Sequence, residues 1–161
     1  MGWSLAGDAT ITLDRQNAMY LYPARLGNDT NGTILVTFPD VPEAITHGQD
    51  RAEAFVRAAN ALEAALSFYV DEGKPLPKAG RARGRNIVPV AVCAQADLKL
   101  QLYESQRSPG IRKAELARRM GISRTNIDRL FDLTRSSRVE QLEAAFRALG
   151  KRQVIHVEDA A

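Results

Sequence analysis

The sequence predicts an α+β fold in which a small sheet-and-helix unit, β-β-β-α-β, is followed by an all-α unit. Three observations predict it. Short β-branched apolar runs, separated by turn formers, cluster before residue 93. One long amphipathic segment with a cap at its start lies among them. From residue 94 to residue 150 the pattern becomes helical in short pieces broken by glycines.

The strands come first. Residues 20–25 (YLYPAR) and 33–38 (TILVTF) read as two strands separated by the turn-forming cluster 27–32 (GNDTNG), which makes a hairpin. Pro39-Asp40-Val41-Pro42 breaks the second strand, and residues 44–47 (AITH) form a short third one stopped by Gly48. Asp50 then caps a helix, with Glu53 at capping-box spacing. Phe55, Ala59, Leu62, Leu66 and Tyr69 alternate steps of four and three, so they are expected to make its sheet-facing stripe, and Gly73 ends it. Residues 73–85 (GKPLPKAGRARGR) lack apolar periodicity and read as a loop or linker, which need not divide domains. The run 87–92 (IVPVAV) is a fourth strand, with Pro89 favouring an edge.

The helical part follows. Residues 94–107 alternate like a strand at Leu98, Leu100 and Leu102, but their helix formers and the Leu98, Leu102, Tyr103 spacing favour helix. Residues 113–120 (KAELARRM) form a helix with Leu116, Ala117 and Met120 on its apolar side and Arg118 and Arg119 exposed. Gly121 supplies the positive φ of a sharp turn, and Ser123 caps the next helix, 124–131 (RTNIDRLF). Ile127, Leu130 and Phe131 pack inward there, leaving Thr125 and Arg129 opposite them and Asn126 and Asp128 on the flanks. A further helix carries Leu142, Ala145, Phe146 and Leu149, and residues 153–157 (QVIHV) read as a terminal strand. Residues 1–18 read as an extension or expression-derived sequence before a start at Met19.

Composition bounds the function. The chain has 161 residues, enough for one ordinary domain or two small ones, with 45% hydrophobic and 25% charged residues, as in soluble globular proteins. No apolar run is long enough to span a membrane, and the N-terminus lacks a basic start and an apolar h-region, so a cytoplasmic location is expected. The single cysteine, Cys93, fits a reducing compartment and is expected to be a small core residue. The net charge of +3 hides an asymmetry: residues 1–80 hold 6 Lys+Arg against 10 Asp+Glu, whereas 81–161 hold 16 against 9. An acidic module therefore precedes one suited to a polyanion.

The basic half contains the chemistry for reading double-stranded DNA. Hydrogen-bonding side chains at the exposed start of a second helix suit base edges in the major groove. Arg129 fits guanine, Asn126 fits adenine, and Thr125 fits a base edge or a thymine methyl. Arg124, Arg135, Ser136 and Arg138 are placed for phosphates. Arg81, Arg83 and Arg85 could touch nucleic acid, although a solvated linker is the favoured reading.

The spacing of Ala117, Gly121, Ile127 and Leu130, continued through residues 133–139 (LTRSSRV), resembles the helix-turn-helix domains of Cro and the phage repressors, a lambda-repressor-like fold. That resemblance implies operator binding by a symmetric assembly, a dimer or a dimer of dimers. In the first half, Phe38-Pro39-Asp40-Val41-Pro42-Glu43-Ala44, Thr46-His47-Gly48, Glu53-Ala54 and the run from Ala58 to Leu66 resemble the HicB antitoxins. The resemblance implies a partial ribonuclease-H-like domain over residues 19–93 that binds toxin, a DNA-binding domain over 94–150, and a tail over 151–161. It further implies a HicA-type, mRNA-cleaving toxin as partner and repression of the shared operon. The alternative is a free-standing repressor whose first module senses a small molecule or drives oligomerisation.

A ribonuclease-H outline invites a nuclease reading, which needs carboxylates clustered on adjacent strands to hold metal ions. The runs 20–25 and 33–38 contain none. Asp29, Asp40 and Asp50 are expected in turn and cap roles, and His47 and His156 have no paired nucleophile or metal-ligand spacing. No catalytic residue, metal site or cofactor is expected.

Overall fold

The apolar runs of the first module pair into one antiparallel sheet of four strands in the order β3-β2-β1-β4. The strands are β1 (Leu21–Asn28), β2 (Ile34–Thr37), β3 (Ile45–Gly48) and β4 (Ile87–Ala91), with α1 (Arg51–Asp71) between β3 and β4. The structure, a computed structural model, describes residues 20–81 and 83–154. The N-terminal segment 1–18 and His156 therefore lie outside the described residues.

β1 runs three residues beyond the expected strand because Gly27 and Asn28 pair with Leu35 and Ile34, and ladder hydrogen bonds outweigh their weak strand propensity. The turn tightens accordingly to Asp29–Gly32, closed by the Asp29 amide donating to the Thr33 carbonyl at 2.8 Å. Pro89 lies on edge strand β4, as its missing amide requires, and faces Pro23 of β1 at a level that β2 does not reach.

Asp50 caps α1 by accepting the Glu53 amide at 2.8 Å, and the Glu53 carboxylate accepts the Gln49 amide at 2.7 Å. The capping box thus closes one residue further out than the usual form. The face α1 buries differs from the expected stripe. Ala54, Ala58, Leu62, Ala65, Leu66 and Val70 are buried, whereas Phe55, Ala59 and Tyr69 lie on its shoulder, partly buried. Small alanines let the helix backbone approach the sheet, so the closest face is not the one with the largest side chains.

Gly48 shows how close that approach is. A Cβ built there would lie 2.4 Å from the backbone nitrogen of Ala54. Since the obstacle is backbone, Gly48→Ala is expected to destabilise the chain by about 1–3 kcal/mol, as overpacking does. Urea unfolding checks this, and an unchanged midpoint would contradict the close packing of β3 on α1.

The stretch 72–86 is a loop, but a pinned one. Leu76 is buried. Tyr22 Oη donates to the Pro77 carbonyl at 2.7 Å, and the Gly80 amide donates to the Asp40 carboxylate at 2.8 Å. Arg81, Arg83 and Arg85 are exposed along it.

The helical half comprises α2 (Ala94–Arg107), α3 (Lys113–Met120), α4 (Arg124–Phe131) and α5 (Val139–Ala148). Helix is the right reading of the ambiguous α2, and its strand-like alternation has a physical origin. Ala96, Asp97, Lys99, Leu100, Leu102, Tyr103 and Gln106 are all buried, so α2 is enclosed on most sides, with Leu98 only partly covered. Tyr103 Oη lies 2.7 Å from the Lys74 carbonyl, and Asp97 Oδ1 accepts the Tyr20 amide at 2.5 Å. Through such contacts the buried apolar residues form one continuous cluster from Tyr22 to Phe146.

Cys93 corrects the expectation of a core cysteine. It is exposed at the N-cap of α2, where its Sγ accepts the Ala96 amide at 3.4 Å, because the chain turns there from β4 into the helix. Of the expected terminal strand, residues 153 and 154 have no strand structure, and the remainder lies outside the described residues. Among the described residues, no helix is long and apolar enough to cross a membrane.

Candidate nucleic-acid interface

The geometry of this region begins with Gly121. It adopts φ 65° and ψ 31°, the left-handed conformation that glycine enters without a Cβ penalty. The Ile122 amide donates to the Ala117 carbonyl at 3.1 Å, closing the end of α3. Two residues later Ser123 caps α4, its Oγ accepting the Asn126 amide at 3.2 Å. Helix, three-residue turn and helix are thus specified by local hydrogen bonds.

Packing then fixes the rotation of α4. Ile127, Leu130 and Phe131 face inward beside α3 and α2, in one apolar cluster with Leu116 and Ala117, and the Phe131 ring meets that of Tyr103 edge-on. With that face buried, Arg124, Thr125, Asn126, Asp128 and Arg129 are exposed, as the helical spacing predicts. In the following loop Arg135, Ser136 and Arg138 are exposed too.

Three of the seven candidate residues share a cleft. Thr125, Arg129 and Arg135 line an open cleft of about 710 Å³ whose opposite wall is Ser67 and Asp71 of α1. Arg124, Asn126, Ser136 and Arg138 lie outside that lining.

Charge pairing further separates these groups. Arg135 Nε is 3.1 Å from the Asp132 carboxylate, which also accepts the Thr134 amide and hydroxyl at 2.9 and 2.6 Å. The Thr134 hydroxyl and amide bonds, with Arg135 and Lys99 nearby, hold the Asp132 carboxyl below its usual range. Among the described residues no ion pair or hydrogen bond engages the guanidinium of Arg124 or Arg129, so both are free for an external acceptor. The α3 arginines are committed elsewhere. Arg118 and Arg119 both bond to Glu115, at 2.8–2.9 Å, and lower its carboxyl to about 2.

Sequence reasoning missed two side chains that shape this region, Gln95 and Lys99. The Lys99 ammonium reaches the carbonyls of Arg129, Asp132 and Arg135, and Gln95 reaches that of Ser137. Their four-residue spacing places them on one helix face, but nothing local distinguishes a buried lysine from a solvated one.

Comparison with known proteins adds a family to this geometry. A family model described as HicB-like antitoxin of bacterial toxin-antitoxin systems matches residues 21–101. The chain is 32% identical over 146 residues to antitoxin HicB of Pseudomonas fluorescens (strain Pf0-1), covering 91% of this chain and 99% of that protein. It is 35% identical over 133 residues to antitoxin HicB of Escherichia coli (strain K12), covering 81% of this chain and 94% of that protein. Among solved structures, the N-terminal domain of Burkholderia pseudomallei antitoxin HicB matches 46% of this chain and 96% of its own, with a TM-score of 0.38 and 17% identity. The similarity to the full-length relatives takes in the helical half as well as the sheet. The chain belongs to the HicB family of antitoxins of bacterial toxin-antitoxin systems.

Proposed function

We propose that this antitoxin neutralises a HicA-type, mRNA-cleaving toxin by binding it through residues 19–93, and represses its own operon by binding operator DNA through residues 94–150. The observation that carries the DNA half is the exposed face of α4. A capped helix presents Arg124, Thr125, Asn126 and Arg129 after a left-handed glycine turn, with guanidinium groups at Arg124 and Arg129 that no ion pair or hydrogen bond engages among the described residues. That is the chemistry of a recognition helix in a helix-turn-helix unit. Its role is binding rather than catalysis, carried out in the cytoplasm.

Operator binding by this class calls for two such helices about 34 Å apart, one turn of DNA, and hence for self-association into a dimer or a dimer of dimers. Family membership over most of the chain favours the antitoxin reading over a free-standing repressor.

Two experiments test the proposal. Co-expression with the product of the adjacent reading frame is expected to restore growth, and the two proteins to co-purify; the absence of both rescue and co-purification would remove the antitoxin pairing proposed here. Mobility shifts on the DNA upstream of its own reading frame, at several salt concentrations, are expected to show tighter binding than on random duplex. Equal affinity for both would remove operator recognition.

A further inference from the structure

α2 is enclosed on most sides yet carries an ammonium group in its middle. Lys99 is 0% exposed. Its Nζ donates to the carbonyls of Arg129 at 3.1 Å, Asp132 at 2.6 Å and Arg135 at 2.5 Å. An ammonium has three protons and no acceptor capacity, so these bonds use its whole donor set. Burial pushes Lys99 below the ordinary lysine range, opposed by the nearby Asp132 carboxylate.

The acceptors are the ones a cation would select. The last carbonyls of a helix lack intrahelical partners and form the negative end of its dipole. Arg129 lies in the last turn of α4 and Asp132 is its C-cap. One turn earlier on α2, Gln95 Nε2 donates to the Ser137 carbonyl at 2.8 Å. One face of α2 therefore binds four carbonyls between residues 129 and 137. That stretch, with Arg138 immediately after it, bears four of the seven candidate DNA-binding residues: Arg129, Arg135, Ser136 and Arg138.

We infer that Lys99 and Gln95 are positioning residues for nucleic-acid recognition, clamping the C-terminal end of α4 and the loop after it in one register. The inference rests on the DNA-binding reading proposed above. A base-reading side chain and phosphate-contacting side chains engage one duplex together only if their backbones are held to within about 0.5 Å, and the local hydrogen bonds tie the loop only to itself and to the end of α4. Polar capture of backbone carbonyls from a packed neighbouring helix adds long-range ties to the local ones, in which the Asp132 carbonyl accepts the Arg135 amide at 3.3 Å and the Arg129 carbonyl accepts the Ser137 hydroxyl at 3.4 Å. The same helix is bonded to the first module at Tyr20, through Asp97, and at Lys74, through Tyr103, so the clamp is anchored outside the helix-turn-helix unit.

The test uses the full chain and compares dissociation constants for the DNA upstream of its own reading frame and for a random duplex at matched salt. Lys99→Met keeps the side-chain length and removes all three donors. It is expected to reduce the ratio of the two affinities about tenfold while changing random-duplex binding less than about threefold. Gln95→Ala is expected to reduce the ratio in the same direction by a smaller factor. Folded variants that discriminate as well as the parent would overturn the inference. Should Lys99→Met fail to fold, Gln95→Ala decides by the same ratio. Nitrogen-15 NMR of the parent protein gives an independent check, with a Lys99 ammonium signal in slow exchange with water expected; a fast-exchanging ammonium would remove the clamp. A parent chain that shows no preference for the upstream DNA defeats the DNA-binding reading itself, whereas a discriminating parent with equally discriminating variants defeats only the positioning role.

Discussion

Phe131→Ala is expected to destabilise the protein by about 3–5 kcal/mol, the range for truncating a buried aromatic residue. Phe131 is 1% exposed and ends α4. Its ring meets that of Tyr103 edge-on at 6.5 Å, and the Lys113 ammonium lies 4.9 Å from its centroid. Truncation therefore opens a cavity where α2, α3 and α4 converge and removes an aromatic pair worth about 0.5–1.5 kcal/mol beyond area burial. Chemical denaturation measures the loss. Phe131→Leu keeps most of the volume and is expected to recover more than half of it, and an Ala variant losing less than about 1 kcal/mol would contradict the packing described.

Arg129→Ala is expected to weaken operator binding by about 1–3 kcal/mol, roughly five- to 150-fold, and to relax the preference at one base position. The guanidinium is exposed and, among the described residues, engaged in no ion pair, so its removal breaks no described ion pair. Arg135→Ala is expected to differ in kind. Its Nε already faces Asp132 at 3.1 Å, and its place in the loop suits a phosphate, so its loss weakens all sequences to a similar extent and makes the salt dependence shallower. Titrating both variants on operator and random duplex at several salt concentrations separates the roles. Equal losses on both DNAs for Arg129→Ala would remove it as a base reader.

How much was legible without the structure depends on the range of the interaction involved. The turn glycine, the Ser123 cap, the Asp50 cap and the edge-favouring Pro89 were readable because each rests on contacts or steric limits within a few residues. The exposed face of α4 was readable because three large apolar residues at helical spacing left little choice of rotation. The buried face of α1 was misjudged because alanine carries little hydrophobic weight, although it permits the closest approach to the sheet. Cys93 was misplaced because its residue type suggested a core, whereas its position at the β4–α2 junction put it at the surface.

The α+β class, the order of elements from β1 to α5 and the residues that α4 presents to solvent are encoded locally. These follow from periodicity and capping, which act within a turn or two of the chain. Long-range packing instead buries Lys99, pins the long loop at Leu76 and Gly80, and sets Arg129 and Arg135 in a cleft with α1. The Lys99 bonds join residues 30, 33 and 36 positions apart, and no local pattern encodes which distant carbonyls a buried ammonium will reach. That depends on how separately formed helices pack, because the carbonyls come within reach of Lys99 only once α4 ends against α2.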